Sequence, residues 1–123
     1  MNDDGFGIGV DLVSIHKFER LIHNTGFPFI ERVFTPTEVA MALERPDPVQ
    51  SLAGRFALKE ATIKALPGTP LTVLDMQKID IGREYDGSPT VMLPRDVPYT
   101  VSGSISYDGD YAIGAAIILS TDE

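Results

Sequence analysis

The chain has no cysteine in its 123 residues. Disulfides, zinc thiolates and thiol nucleophiles are therefore excluded. No stretch approaches the ~18 apolar residues of a membrane-spanning helix. The first residues, Met1-Asn2-Asp3-Asp4, are acidic, where a secretory leader opens with positive charge. Basic residues are outnumbered: 10 Lys and Arg against 18 Asp and Glu give a net charge of −8. Such a balance argues against general binding to nucleic acid or to anionic membranes. There is no internal repeat and no low-complexity tract. The expectation is a cytoplasmic protein with one domain over 1–123, long enough for a small core.

What is present reads as one strand, a set of helices, then more strands. Residues 7–13 alternate as a strand, with Ile8, Val10 and Leu12 on one face and Gly7, Gly9, Asp11 and Val13 on the other. Ser14 is a helix cap, and Ile15, Phe18 and Ile22 follow at helical spacing up to Asn24-Thr25-Gly26. Residues 27–34 form an apolar segment around Pro28. Thr35-Pro36-Thr37-Glu38 spells a capping box and opens a helix to about Glu44. After Arg45-Pro46-Asp47-Pro48, a long central helix is expected over 49–66, ending at Pro67-Gly68. Strands are expected over 77–84 and 89–93 around Asp86-Gly87, and over 99–107 and 110–119 around Asp108-Gly109. The last strand is almost wholly apolar and so reads as central. This order implies an α+β fold, an antiparallel sheet packed on the long helix.

The central helix puts charge where apolar residues belong. Leu52, Phe56, Ile63 and Leu66 fall on one stripe; Lys59 lands inside it, Arg55 and Glu60 at its edges, Lys64 just beyond. A buried Lys needs an anion, and several cations beside a carboxylate suit a phosphate with a metal. Glu60 and Lys64 are also spaced as an ordinary surface ion pair, and Lys59 could snorkel. Asp11 is either a solvated edge residue or, with Glu60, a ligand for a hard cation such as Mg²⁺, with Gly7 and Gly9 leaving room for a bulky ligand. Ser104 and Tyr107 either face solvent or offer hydroxyls to a phosphate. Lys17, Arg20 and Arg32 form a solvated face or a local basic patch for an acidic partner. His16 and His23 read as surface helix residues.

These blocks, in this order, resemble the holo-[acyl-carrier-protein] synthase family of small 4′-phosphopantetheinyl transferases. The resemblance runs from Gly7 to about Leu119. It is carried by Gly-Ile-Gly-Val-Asp-Leu-Val (7–13), Arg-Val-Phe-Thr-Pro-Thr-Glu (32–38), Leu-Ala-Gly-Arg-Phe-Ala-Leu-Lys-Glu-Ala-Thr-Ile-Lys (52–64), Ile-Asp-Ile (79–81), Asp-Gly-Ser-Pro (86–89) and Ser-Ile-Ser (104–106) before Tyr111-Ala112. It implies the 4′-phosphopantetheinyl transferase fold and transfer of phosphopantetheine from coenzyme A to a serine of an apo acyl carrier protein, with release of 3′,5′-ADP. It further implies Mg²⁺ on Asp11 and Glu60, catalytic Glu60, Lys64 and Asp11, and coenzyme A contacts from Arg55, Lys59, Lys64, Ser104 and Tyr107. Lys17, with Arg20 and Arg32 beside it, would grip the carrier, and the assembly would be a homotrimer. Three positions depart from the family pattern: Tyr107 replaces a histidine, Ser88 a lysine, and Pro67 interrupts a glycine-rich loop. They keep a second expectation open, an altered member that binds the carrier or coenzyme A without transfer or serves another biosynthetic reaction.

Overall fold

The computed structural model describes residues 6–68 and 71–121, so the acidic start at Met1–Asp4 lies outside it. Along the chain come β1 (Phe6–Ser14), α1 (Ile15–Thr25), α2 (Phe27–Val33), α3 (Pro36–Leu43) and α4 (Pro48–Ala65). A 3₁₀ helix (Val73–Lys78) leads into β2 (Asp80–Arg83) and β3 (Pro89–Met92), followed by β4 (Tyr99–Asp108) and β5 (Tyr111–Ser120). The main sheet is antiparallel with order β1-β5-β4, so the apolar last strand is central as its composition implies. β2 and β3 form a separate two-stranded sheet, and β3 runs along β4.

α4 lies across β1 and β5 at very close range. Ala57, Ala61 and Ala65, four residues apart, face the sheet. Opposite them are glycines: a Cβ on Gly7 would strike the Ala65 carbonyl, one on Gly9 the Ala61 carbonyl, and one on Gly114 the backbone of Ala57 and Leu58. The expectation that Gly7 and Gly9 leave space for a ligand is thereby corrected, because helix backbone fills that space. Two apolar clusters flank α4. One gathers Phe18, Val33, Phe34, Leu52 and Ala57, with Phe18 edge-on to Phe34 at 6.3 Å. The other gathers Leu58, Ile79, Ile81, Ala116 and Ile118.

Most boundaries follow the local signals. The Thr35–Glu38 capping box is formed in both directions, and Asp47 accepts from the Gln50 amide at the start of α4. Two differences have local causes. The apolar segment 27–34 is a helix, opened by Pro28 in its first turn after Gly26 at φ 76°. The strand expected over 77–84 is only Asp80–Arg83, because Thr72 and Asp75 form a second capping box that coils the preceding residues into the 3₁₀ turn. Among the described residues, no helix is long and apolar enough to cross a membrane.

Candidate active site

Strand β1 and helix α4 bring Asp11 and Glu60, far apart in sequence, to one groove that Lys17, Phe18, Leu21 and Phe56 also line. Lys64 makes its ion pair with Asp11, Nζ to Oδ1 at 2.7 Å, rather than with Glu60 one turn back on its own helix. Burial pushes the Glu60 carboxyl up, the Asp11 charge adds to that, and Lys64 opposes both. The groove thus brings two carboxylates, Asp11 and Glu60, together with two lysines, Lys17 on its lining and Lys64 on Asp11. Two hard oxygen donors fit Mg²⁺, which takes few protein carboxylates and completes its shell with water and phosphate. Among the described residues, no group of three or more His, Cys, Asp and Glu is placed to hold a metal by protein ligands alone.

Lys17 reaches this groove because the first turn of α1 is held twice. Ser14 Oγ accepts from the Lys17 amide at 3.2 Å and donates to Asp110 Oδ2 at 2.7 Å. Asp110 Oδ1 also accepts from the His16 amide at 2.9 Å. Arg20 and Arg32 are exposed on α1 and α2, and neither lines the groove.

Lys59 requires a correction. Its side chain is fully buried, and its anion is Glu38 of α3, Nζ to Oε1 at 2.7 Å. The other two ammonium protons go to the carbonyls of Val33 at 2.6 Å and Met76 at 2.9 Å, and Nζ sits 5.3 Å from the Phe34 ring centre. With its three donors taken and no exposed surface, Lys59 is not a coenzyme contact. Burial raises the Glu38 carboxyl and lowers the Lys59 ammonium, and each charge opposes the other's shift. The geometry identifies an ionised pair, because the Glu38 oxygens accept three N–H bonds, from Lys59, Thr35 and Ile81.

Arg55 belongs to a second site. It is 2% exposed and forms part of a cavity of about 280 Å³ shared with Arg45, Ser51, Arg83 and Tyr107. Burial lowers the guanidinium, neighbouring Arg83 adds to this, and the Glu38 charge partly restores it. Burial likewise raises the Tyr107 phenol despite three nearby arginines, so Tyr107 is a neutral hydroxyl at physiological pH. Its ring lies over Gly54, where any Cβ would strike it. Ser104 stands apart from Tyr107. β4 alternates, so Ser104 is on the exposed face with Ser102 and Ser106, while Ile105 and Tyr107 line the cavity. Within one chain Ser104 and Tyr107 serve opposite sides of the sheet. Ser88, the other departure, donates its amide and hydroxyl to Asp86 Oδ1, at 2.9 and 2.7 Å, and shapes the turn whose Gly87 carbonyl accepts from Arg83 at 3.1 Å.

Sequence reading missed Arg45, Arg83 and Glu38. Arg45 sits in the Pro-rich break and Arg83 ends a short strand, with no pattern to mark either. Glu38 had a complete local role in the capping box, which concealed its second one.

The sequence pattern of the 4′-phosphopantetheinyl transferase superfamily matches residues 7–116. The chain belongs to that superfamily. Within it the chain is an enzyme of the holo-[acyl-carrier-protein] synthase family. It is 34% identical to the holo-[acyl-carrier-protein] synthase of Thermodesulfovibrio yellowstonii, over 91% of this chain and 96% of that one. It is 38% identical to the one from Chlorobaculum parvum, over 90% and 96%. In structure it resembles the complex of the Chronobacterium ammoniagenes enzyme with CoA, with a TM-score of 0.80, 30% identity and coverage of 95% and 98%. The segment that matches the superfamily contains both sites: the Asp11/Glu60 groove and the arginine cavity with Tyr107.

Proposed function

We propose that this family member transfers 4′-phosphopantetheine from coenzyme A to a serine hydroxyl of an apo acyl carrier protein, using Mg²⁺ held by Asp11 and Glu60. The observation that carries the reading is the meeting of those two carboxylates in one groove, with Lys64 bonded to Asp11. The name shared by the relatives and the coenzyme A complex of the structural relative support the substrates. The serine oxygen bonds to the phosphorus that carries pantetheine, the bond from that phosphorus to the bridging pyrophosphate oxygen breaks, and 3′,5′-ADP leaves. Bound Mg²⁺ supplies charge neutralisation at the pyrophosphate. The serine proton passes to solvent, because Asp11 and Glu60 are both committed to the cation. Lys64, half exposed and anchored on Asp11, offers positive charge to the transferred phosphate. Lys17 faces the acidic carrier at the rim, with Arg20 and Arg32 on the same side of the sequence.

The arginine cavity takes the 3′,5′-ADP end. Arg55 and Glu60 are five residues apart on α4, about 140° around its axis, so groove and cavity open on different flanks of one chain. A coenzyme spanning both would use the groove of one chain and the cavity of a neighbour. The main sheet offers the means. Phe6, Ile8, Val10 and Leu12 of β1, with Ile117 and Leu119 of β5, are 45–61% exposed on the face away from α4. An apolar face of this kind marks an interface, and we assign it to a homotrimer of single-domain chains. Coenzyme A is the proposed donor, and on that ground we place the enzyme in the cytoplasm.

The test is intact mass of several apo carrier proteins after incubation with coenzyme A, Mg²⁺ and the enzyme. One phosphopantetheine is expected on at least one carrier. Binding without any adduct, beside a working transferase, would replace the transfer reading with a binding module. Val10→Arg is expected to give monomers on size exclusion and to abolish transfer; an active monomer would refute the shared site.

A further inference from the structure

We propose that Glu38 is a positioning residue for Arg55, fixing the floor and one wall of the arginine cavity. The inference rests on the reading above that this cavity holds the 3′,5′-ADP end of coenzyme A.

Arg55 is buried yet weakly held. Of its five donors only one has a short protein partner, Ser51 Oγ at 2.6 Å. Its Nε reaches the Ile81 carbonyl at 3.5 Å, and Nη2 lies 3.8 Å from Met41 Sδ. Donors are therefore left for an anion, and the position of the guanidinium depends on where Ile81 stands. Gly82 and Arg83, the next residues of β2, line the same cavity. Fixing Ile81 thus fixes three lining residues together.

β2 cannot fix itself. It has four residues, and among the described residues its one sheet partner is the equally short β3; a two-stranded ribbon is at best marginally stable alone. β2 therefore relies on the packing of β3 along β4 and of Ile81 in the core, neither of which fixes the backbone amide of Ile81. Glu38 supplies the anchor. Its Oε2 accepts from the Ile81 amide at 2.6 Å. Its Oε1 accepts from the Thr35 amide at 2.9 Å and from Lys59 at 2.7 Å. Thr35 in turn donates its hydroxyl to Asp80 Oδ1 at 2.7 Å, a second tie to β2 one residue earlier. One buried carboxylate thereby joins the start of α3, the middle of α4 and the strand under Arg55. Lys59 neutralises that carboxylate, and its bonds to the Val33 and Met76 carbonyls hold it in place. An apolar pair of similar volume often stabilises as well as a buried ion pair or better. What it cannot do is hold two backbone amides at fixed points, and that is the work assigned to Glu38.

The test compares Glu38→Gln, the apolar double variant Glu38→Leu/Lys59→Met, and Arg55→Ala in the full chain. The readouts are kcat, KM for coenzyme A and for the carrier, 3′,5′-ADP affinity by calorimetry, and melting temperature. Glu38→Gln is expected to raise the coenzyme A KM roughly tenfold and to weaken 3′,5′-ADP by the same factor. Its kcat at saturating coenzyme A and its carrier KM stay within about twofold. The double variant removes the unpaired buried charge but leaves the Thr35 and Ile81 amides and the Val33 and Met76 carbonyls without their partners, so it melts below wild type, and its coenzyme A KM remains raised. A double variant with wild-type KM and 3′,5′-ADP affinity would overturn the proposal and leave Glu38 a purely structural residue. If Arg55→Ala binds 3′,5′-ADP as wild type does, the cavity reading itself falls, and the role of Glu38 with it.

Discussion

Lys59 and Glu60 are consecutive on α4, and the fold treats them in opposite ways. A step of about 100° around the helix separates them. Lys59 enters the dry side between α3, the 3₁₀ turn and α4, where every donor is matched by a protein oxygen. Glu60 enters the groove under β1, where a second carboxylate stands nearby and Lys64 bonds to that second carboxylate instead. Charge in the dry region is balanced within the chain because no solvent is there to balance it. In the groove, among the described residues, Glu60 has no ion pair while Lys17 and Lys64 keep exposed ammonium groups, so the groove is receptive to both a cation and a phosphate. Unusual residue type alone does not separate the two cases; what separates them is whether the protein itself completes the coordination.

Three experiments can break or sharpen this contrast. The largest effect is expected on the dry side. Lys59→Met alone leaves Glu38 as an uncompensated buried charge and should cost about 3–5 kcal/mol in urea denaturation. A loss under about 1 kcal/mol would mean that water reaches Glu38 and that the two environments are not distinct.

In the groove, Glu60→Gln should lower transfer by roughly 10²–10³-fold, the scale for a lost electrostatic contribution at a reacting centre. The same change should raise the melting temperature at neutral pH. The Glu60 carboxyl is pushed up in the folded chain, so its ionised form destabilises the fold above the folded pKa. That penalty shrinks as pH falls through the folded value and is gone below the unfolded value, ~4.3. The gain from Glu60→Gln should therefore be largest at neutral pH and fade in acid. Added Mg²⁺ should raise the melting temperature of the wild type and not of the variant. A Glu60→Gln protein that is less stable at neutral pH, or that still responds to Mg²⁺ in full, would remove Glu60 from the cation site.

The smallest effect concerns Tyr107, in a setting between the two. Its phenol is pushed up and stays neutral, so it gives the coenzyme A KM no dependence on pH near neutrality. Tyr107→His introduces a group with an ordinary pKa of ~6.5. Its KM for coenzyme A should fall by a few-fold as pH drops through that value, since an added cation meets the anion. An equally flat profile in both proteins would place Tyr107 away from the anion.

Much of this was legible in residue order. The Thr35–Glu38 capping box, the Asp108-Gly109 hairpin and the apolar central strand were readable as local patterns, while the Asp11/Glu60 pairing rested on residue chemistry and the family resemblance. Two readings required the packed chain. The glycines of β1 look like space for a ligand until α4 is laid on them. Lys59 looks like a phosphate ligand until Glu38 arrives from another helix. Both errors have the same origin: a pattern along the chain states which side of an element a residue occupies, not what stands on that side. Ser104 and Tyr107 are a different case, since the strand's twofold alternation already puts them on opposite faces.

The order of apolar, glycine and capping residues by itself determined most of the elements and their α+β arrangement, because those depend on spacing within short windows, and the succession of sequence blocks pointed to the family. Which charges are neutralised inside the molecule, and which remain available to a cation or an anion, was decided only when α3, α4, β1 and β2 met. Electrostatic balance depends on distances between residues far apart in sequence, and only the folded chain sets those distances.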